Sequence, residues 1–195
     1  MRLTLISDFQ SKPDLLAAFS LALRGRQKSG GPLSFWLREK QTASDELPIA
    51  ELQSLAAEHE FRLETSWTHR RVAGLMTLHI PDSETARNKS RAFQGRRILS
   101  AHSLQQAELL LLENPSDEVL VSAWRAAISK QSSGATLNHA ATLALARRFE
   151  NRLHIVSGLR VEDYAELKGE PLASLAFCGS FTAEPKAFLK RLGYL

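Results

Sequence analysis

Short apolar runs alternate along the chain with longer segments whose apolar residues recur at helical spacing. Eight of the runs have the length and composition of buried β-strands, and they lie at residues 3–7, 33–37, 61–64, 76–80, 96–100, 118–122, 153–157 and 172–179. Most are followed by a segment that predicts an α-helix. The first helix has Pro13 near its start and is predicted to end at Gly25. Ser103 and Gln106 form a capping-box pattern before another helix.

Two of the segments between predicted strands have features that predict their structure or role. Residues 44–60 predict a helix that places Leu47, Leu52 and Leu55 on one apolar face. The connection 123–138 follows the sixth strand and is long and rich in serine and small residues. Loops of that length in compact domains are usually functional or mobile, so this one is a candidate part of a binding site.

The alternation of strands with helices predicts parallel pairing through right-handed crossovers. Eight such units close naturally into a (β/α)8 TIM barrel of the α/β class, and the chain of 195 residues is near the lower size limit for one. An open doubly wound sheet is the competing architecture. It normally has a glycine-rich turn after its first strand, whereas "SDFQSKPD" contains no glycine. We therefore expect one barrel domain spanning residues 1–195.

Composition narrows the class of protein without identifying a function. Hydrophobic residues make up 44% of the chain and charged residues 24%, as in ordinary soluble proteins. The single cysteine, Cys178, permits no disulfide within the chain and fits a reducing compartment. No apolar stretch reaches the roughly 18 residues of a membrane helix, and the first apolar run is too short for a signal peptide. A cytoplasmic protein with no membrane partner is expected.

The net charge of +4 invites a nucleic-acid interpretation, but the basic residues are dispersed and no nucleic-acid-binding signature accompanies them. Most of them fall in predicted helices or loops beside acidic neighbours. We therefore expect a solvated helical exterior and no nucleic-acid partner. The densest group, between Arg87 and Arg97, has the charge to bind a polyanion weakly.

Polar residues follow most of the predicted strands, and the carboxyl ends of barrel strands are where active sites are assembled. Those ends are Ser7-Asp8, Arg38-Glu39-Lys40, residues 64–66, residues 81–84, residues 100–103, the loop with Ser129 and Lys130, Ser157-Gly158, and Cys178-Gly179-Ser180. Small residues let backbone N–H groups approach an anion, and lysine and arginine neutralise its charge. The rim therefore predicts a site for phosphate groups.

Several of these motifs, in this order, resemble the thiamine-phosphate synthase and thiazole tautomerase superfamily nearly end to end. The two most specific are "LREK" at 37–40 and "SAHSLQQA" at 100–107. Weaker matches are "LTLISD", "AGLMTLHIPDSE", "SDEVLVSAW", "LHIVSGLRVEDYAEL" and "SLAFCGSF". The superfamily consists of (β/α)8 barrels, in agreement with the fold expected from periodicity.

The resemblance implies a role for each candidate residue. In synthases of this superfamily the arginine and lysine after strand two hold the diphosphate of an aminopyrimidine substrate, and Arg38 and Lys40 occupy those positions. Lys130 is implied as a third catalytic cation. The implied phosphate-binding residues are Ser100, Ser129, Ser157, Gly158, Cys178 and Gly179. The implied reaction joins the aminopyrimidine to a thiazole phosphate, so the expected partners are small phosphorylated thiamine precursors. The sequence leaves open whether the protein forms a homodimer.

Mg2+ is the cofactor implied by the resemblance, but its expected ligands are depleted here. The asparagine and metal-binding aspartate after strand three are absent, and Glu64 is the one carboxylate there that can offer an oxygen. After strand four, Asp82 or Glu84 takes the place of the second metal aspartate. We therefore expect weak Mg2+ binding and a synthase that is catalytically reduced or inactive.

Other departures keep two alternatives open. Trp36 replaces the glutamine that precedes the arginine motif, and Ala123 stands where the tautomerase branch has its histidine. A tautomerase-like enzyme and a non-catalytic phosphate-binding barrel therefore remain alternatives to a synthase. His79 is expected to be a packed or outward-facing residue of its strand and not a ligand, and His102 is expected to orient its loop without acting as a catalytic base.

Overall fold

Eight parallel strands close into a barrel in which each strand pairs with its neighbours in sequence and the last pairs with the first. The computed structural model describes residues 1–8, 12–38, 49–70, 74–126 and 136–195. Its strands are β1 (Arg2–Ile6), β2 (Leu33–Leu37), β3 (Arg62–Ser66), β4 (Thr77–Ile80), β5 (Arg96–Ala101), β6 (Glu118–Val121), β7 (Leu153–Val156) and β8 (Ser174–Phe177). The predicted (β/α)8 barrel is confirmed.

Helices surround the barrel and connect most of the strands. They are α1 (Lys12–Ser29), α2 (Ile49–Glu58), α3 (Glu84–Ser90), α4 (Leu104–Glu113), α5 (His139–Arg148), α6 (Val161–Leu167), α7 (Gly179–Ala183) and α8 (Pro185–Arg191). A short 3₁₀ helix, Trp67–His69, follows β3. Within the described ranges, no helix is both long and apolar enough to span a membrane.

The first helix continues beyond its predicted end at Gly25. It runs to Ser29 and is followed by Gly30, whose φ of +67° is the left-handed conformation that ends many helices. The Gly30 N–H donates to the Arg26 carbonyl at 3.0 Å. Gly25 therefore lies inside the helix, where a Cβ would come into contact with the Cβ of Tyr194 at 3.4 Å.

The buried face of α2 also differs from the predicted one. Ile49, Leu52 and Ala56 are buried, whereas Leu55 is 42% exposed. Leu47 lies outside the described residues. The spacing of 49, 52 and 56 forms a narrow stripe along one side of the helix, and residue 55 points away from it.

Side chains alternate between the two sides of the closed sheet. One set, which includes Leu5 and Phe35, packs against the surrounding helices. The Phe35 ring meets the ring of Phe19 from α1 in an edge-to-face arrangement, with centroids 5.4 Å apart. The other set fills the barrel interior. Its apolar part consists of Ile6, Trp36, Ile98, Leu120 and Ala176. Polar and charged residues occupy much of the remaining interior, which positions them for the sites described next.

Candidate functional site at the carboxyl ends of the strands

Arg38 connects the ends of three neighbouring strands. It follows β2 directly, and its backbone N–H donates to the Ser7 hydroxyl at 3.1 Å. Its Nη2 donates to Asp8 Oδ2 at 2.6 Å and to Cys178 Sγ at 3.1 Å. Its Nε is buried and has no acceptor among the described residues. The structure thus brings together Arg38 and Cys178, two residues that the sequence predicted for one rim, and adds Asp8 as the partner of the guanidinium.

The turn after β7 has an unusual backbone. Ser157 and Gly158 have φ values of +71° and +70°. A Cβ on Gly158 would lie 2.3 Å from the Arg125 carbonyl oxygen, so a larger residue would collide with the chain that follows β6. In the described part of the chain, the N–H groups of Gly158 and Gly179 donate to no acceptor. These two turns end adjacent strands, and an anion between them remains a prediction.

Asp82 is held by neighbouring side chains at the end of β4. Its Oδ1 accepts from Gln106 Nε2 and from Arg87 Nη1, both at 2.7 Å. The hydrogen bond from Gln106, aided by Arg87, lowers the pKa of Asp82 against a smaller opposing effect of burial. Glu84 is exposed in the first turn of α3. Neither residue belongs to a group of three potential metal ligands within the ranges that the structure describes.

Gln106 joins this carboxylate to the turn after β5. Ser103 caps α4 by accepting from the Gln106 N–H at 3.1 Å, as the capping-box pattern predicted. The Gln106 side chain departs from that pattern, because its Oε1 accepts from the His102 N–H at 2.8 Å. His102 Nδ1 in turn lies 3.3 Å from the Ser122 hydroxyl, at the end of β6.

Four predicted phosphate-site residues remain: Ser100, Lys40, Ser129 and Lys130. Ser100 is half-buried in β5, paired in register with Leu120. Lys40, Ser129 and Lys130 lie outside the described residues. Their assignment to phosphate binding stays a prediction.

Trp36 closes the barrel interior beneath this rim. Its ring stacks on the His79 ring with centroids 3.6 Å apart and planes 7° from parallel. Its Nε1 donates to the Ser66 hydroxyl at 3.0 Å. Trp36 belongs to the apolar layer formed with Ile6 and Ile98. His79 is therefore packed inside the barrel against Trp36, which is one of the two positions expected for it from the sequence.

Glu64 does not reach the rim, and its suggested role as a source of a Mg2+ oxygen is wrong. Strand β3 extends to Ser66, two residues beyond its predicted end, so Glu64 falls inside the barrel and is fully buried. His79 Nε2 lies 2.7 Å from its Oε2. The other carboxylate oxygen and His79 Nδ1 have no partner among the described residues.

Opposing effects set the charge of this buried pair. Burial works to raise the pKa of Glu64, but the hydrogen bond from His79 and the nearby positive charges, including Arg62, lower it to about 2. Burial lowers the pKa of His79, against the attraction of Glu64. At neutral pH the pair therefore consists of a carboxylate that accepts a hydrogen bond from the Nε2–H of a neutral imidazole.

A second buried pair crosses the other side of the interior. His154 Nε2 lies 2.6 Å from Glu118 Oε2, and its Nδ1 lies 2.7 Å from the Ser174 hydroxyl. Burial works to raise the pKa of Glu118, and His154 together with Arg96 outweighs it and lowers the pKa. Neither buried carboxylate–histidine pair was predicted from the sequence. Their signal was a charged residue or histidine at an inward-facing position of a strand that is otherwise apolar.

Comparison with known proteins finds similarity in structure alone. No protein-family model matches the chain, and no curated protein matches it in sequence. Thiamine phosphate pyrophosphorylase from Pyrococcus furiosus has a TM-score of 0.75 at 14% identity, covering 98% of this chain and 93% of that protein. The enzyme from Bacteroides thetaiotaomicron has a TM-score of 0.62 at 14% identity, with coverages of 99% and 98%.

The same fold also occurs in an enzyme of different chemistry. A variant tryptophan synthase α-subunit from Pyrococcus furiosus has a TM-score of 0.61 at 12% identity, covering 99% of this chain and 95% of that one. Fold similarity at such identities carries no activity with it. This chain is a barrel with the fold of the thiamine phosphate pyrophosphorylases, the proteins whose motifs its sequence resembles.

Proposed function

We propose that this barrel binds phosphorylated thiamine precursors at the carboxyl ends of its strands, with synthase turnover reduced or absent. The observation that carries the proposal is Arg38, whose guanidinium lies at the rim with a buried Nε that lacks an acceptor among the described residues. An unpaired buried donor is costly, and a phosphate oxygen would satisfy it. The fold and the "LREK" motif support the choice of ligand.

The chemistry of the ligand fits the residues that surround Arg38. A diphosphate carries negative charge, which a guanidinium neutralises, and the N–H groups of Gly158 and Gly179 are available donors on the same rim. Asp8 holds the guanidinium in place and lowers the net positive charge around it. The stacked Trp36 and His79 rings below offer an apolar base to a heterocyclic ring.

Turnover is expected to suffer more than affinity. In the synthase reaction implied by the resemblance, a metal-bound diphosphate leaves a pyrimidine methylene cation, which the thiazole nitrogen captures. Misplacement of reacting groups by about 1 Å can cost about 10²-fold in rate. Asp82 is already engaged by two side chains, and Glu64 is buried away from the rim. Of the predicted metal ligands that the structure describes, Asp82 and Glu84 are the two left to place a metal.

Calorimetry with pyrophosphate, thiamine phosphate and thiazole phosphate tests the site. We expect Arg38→Ala to weaken pyrophosphate binding about 10- to 100-fold, because a lost charged hydrogen bond costs roughly 1.5–3 kcal/mol. Arg191→Ala is the matched control, since Arg191 pairs with Glu162 on the exposed face of α8. Equal binding by Arg38→Ala and the wild type would overturn the site. A coupled synthase assay decides the activity, and turnover typical of known synthases would overturn the reduced-activity proposal.

Magnesium should bind weakly on its own. Because the described residues contain no group of three potential metal ligands, we expect no measurable heat from Mg2+ alone at concentrations where Mg2+ with pyrophosphate binds. Asp82→Asn should reduce the Mg2+-dependent part of pyrophosphate binding and leave the metal-free part unchanged. Tight Mg2+ binding in the absence of any diphosphate would contradict this prediction.

A tautomerase-like proton transfer is the second candidate, favoured by the position of His102. Its imidazole lies 3.3 Å from the Ser122 hydroxyl, beside Ala123, so strand β5 supplies a histidine near the end of β6. Incorporation of deuterium from D2O into a thiazole phosphate carboxylate, followed by NMR, would reveal this activity. His102→Gln should abolish the exchange, and unchanged exchange would exclude His102 as the base.

A further inference from the structure

A cavity at the amino-terminal end of the barrel, opposite the rim just described, is lined by three arginines. Its volume is about 210 Å3, and its lining consists of Met1, Arg2, Pro32, Arg62, Arg96, Asn151 and Ala173. Arg2, Arg62 and Arg96 are the first residues of β1, β3 and β5. Alternate strands of such a barrel contribute side chains to the same layer around the axis, so the three guanidinium groups converge on one space.

The positive charge of this layer is only partly compensated. Arg96 is paired with Glu118, but its Nε is buried with no acceptor among the described residues. The side chains of Arg2 and Arg62 form no ion pair and no hydrogen bond in the described part of the chain. Glu64, the nearest remaining carboxylate above them, is bound to His79. Within the described ranges, two guanidinium groups thus have no ion-pair or hydrogen-bond partner.

Arg152, in the same region, has carbonyl acceptors for its side-chain N–H groups. It immediately precedes β7, and its side chain donates to the carbonyls of Asp117, Leu111 and Asn114 at 2.7–3.0 Å. An arginine at the amino-terminal end of a strand can therefore find acceptors in this fold. Arg2 and Arg62, at the same end of the barrel, have no such acceptors in the part of the chain that the structure describes.

The ionisation of Arg62 agrees with this geometry. Burial, together with the charges of Arg2 and Arg96, lowers the pKa of Arg62 from its ordinary value to about 10. The attraction of Glu64 and Glu118 is too small to reverse it. The folded protein thus holds this positive charge at a cost, which a bound anion would relieve.

We propose that this cavity binds a small oxyanion with at least two negative charges, of the phosphate or diphosphate class. A volume of about 210 Å3 is smaller than the roughly 300–1,000 Å3 of drug-sized ligand sites, which favours a compact ion over a nucleotide. Planar guanidinium groups match the geometry of phosphate oxygens, and three of them around one space give the site its charge selectivity. The site is distinct from the one at Arg38, because the two lie at opposite ends of the strands.

Pyrophosphate titrated by calorimetry into four proteins tests both sites separately. These are the wild type, Arg38→Ala, Arg62→Gln and the double variant. We expect two bound ions per wild-type chain, one in each single variant and none in the double variant. The loss of Arg62 should weaken its class of site at least about 10-fold. If Arg62→Gln bound two ions and Arg38→Ala bound one, the cavity site alone would be overturned. If Arg62→Gln bound one ion and Arg38→Ala bound two, only the proposed function would be overturned.

Thermal unfolding separates a binding role of Arg62 from a structural one. In anion-free buffer Arg62→Gln should melt at the same temperature as the wild type or higher, because a repelled charge is removed. Pyrophosphate should raise the melting temperature of Arg38→Ala and fail to raise that of the double variant. Destabilisation of Arg62→Gln without anion, combined with unchanged pyrophosphate binding, would assign Arg62 a structural role and overturn the proposal.

Arg91→Gln is the matched control for a lost guanidinium. Arg91 is exposed and lines a different groove on the outer surface, beside Arg87 and Arg97. It should retain both bound ions. Loss of an ion in Arg91→Gln, with two retained in Arg62→Gln, would move the site to that outer groove and overturn the assignment to the cavity. Arg62→Lys should bind pyrophosphate more tightly than Arg62→Gln, since it keeps the charge and loses only the planar geometry.

Discussion

The buried Glu64 carboxylate makes the stability of this protein depend on pH in a way that one substitution can test. Glu64→Gln removes the charge and keeps the shape, and the glutamine oxygen can still accept the hydrogen bond from His79. The charge itself interacts with the cations near it, including Arg62. Its removal should therefore destabilise the barrel at neutral pH.

The magnitude follows from the difference in pKa between the folded and unfolded chain. Glu64 has a pKa of about 2 in the folded protein against an ordinary value of 4.5. At about 1.4 kcal/mol for each pKa unit, ionisation of the carboxylate contributes about 3 kcal/mol at pH 7, which is the upper limit for the effect of Glu64→Gln because the glutamine keeps the hydrogen bond from His79. Since the pKa is lowered by folding, this contribution is complete above pH 4.5 and is lost as the pH falls towards 2. Less than half of it should remain near pH 3, by the same linkage relation.

Urea unfolding of the wild type and Glu64→Gln at several values between pH 7 and about pH 3 measures the effect. The difference in the free energy of unfolding should be largest at pH 7 and shrink as the solution is acidified. Glu58→Gln is the control, because Glu58 is exposed at the end of α2 and should show a small difference at every pH. A difference that is constant with pH would mean a packing cost and refute the electrostatic argument. A variant more stable than the wild type at pH 7 would show that desolvation of the carboxylate outweighs its partners.

Two further predictions concern the turn after β7. Gly158→Ala should destabilise the protein by about 2–4 kcal/mol, because its Cβ would meet the Arg125 carbonyl at 2.3 Å in a left-handed conformation. Chemical denaturation measures this, and an effect as small as that of Gly169→Ala, where a Cβ meets no atom within 4 Å, would contradict it. Ser157→Gly should stabilise by about 0.5–1 kcal/mol, since relief of its φ of +71° exceeds the entropy cost of glycine. Ser180→Gly is the control and should leave the free energy of unfolding unchanged or lower it. If Ser157→Gly had the same effect as Ser180→Gly, the turn would store no backbone strain.

The barrel and the position of Arg38 were predictable from the sequence because they depend on local patterns. Apolar runs of strand length at regular intervals, with helical periodicity between them, leave few topologies that bury every strand on both faces. All eight strands were found with boundaries shifted by one or two residues in most cases. Arg38 follows its strand directly, and parallel strands carry whatever follows them to the same edge. The resemblance to thiamine-phosphate synthases rested on these same positions.

The partners of the buried charges depended on the tertiary structure. Glu64 lies in the interior and not at the rim because β3 ends at Ser66, two residues later than predicted. The position of a residue along its strand determines how deep in the barrel its side chain lies. The proximity of Glu64 to His79 arises from the register between β3 and β4, and the convergence of Arg2, Arg62 and Arg96 arises from the register around the closed sheet. Local sequence specifies which elements form, whereas the closing of the sheet determines which side chains share its interior, because that register is set by all eight strands together.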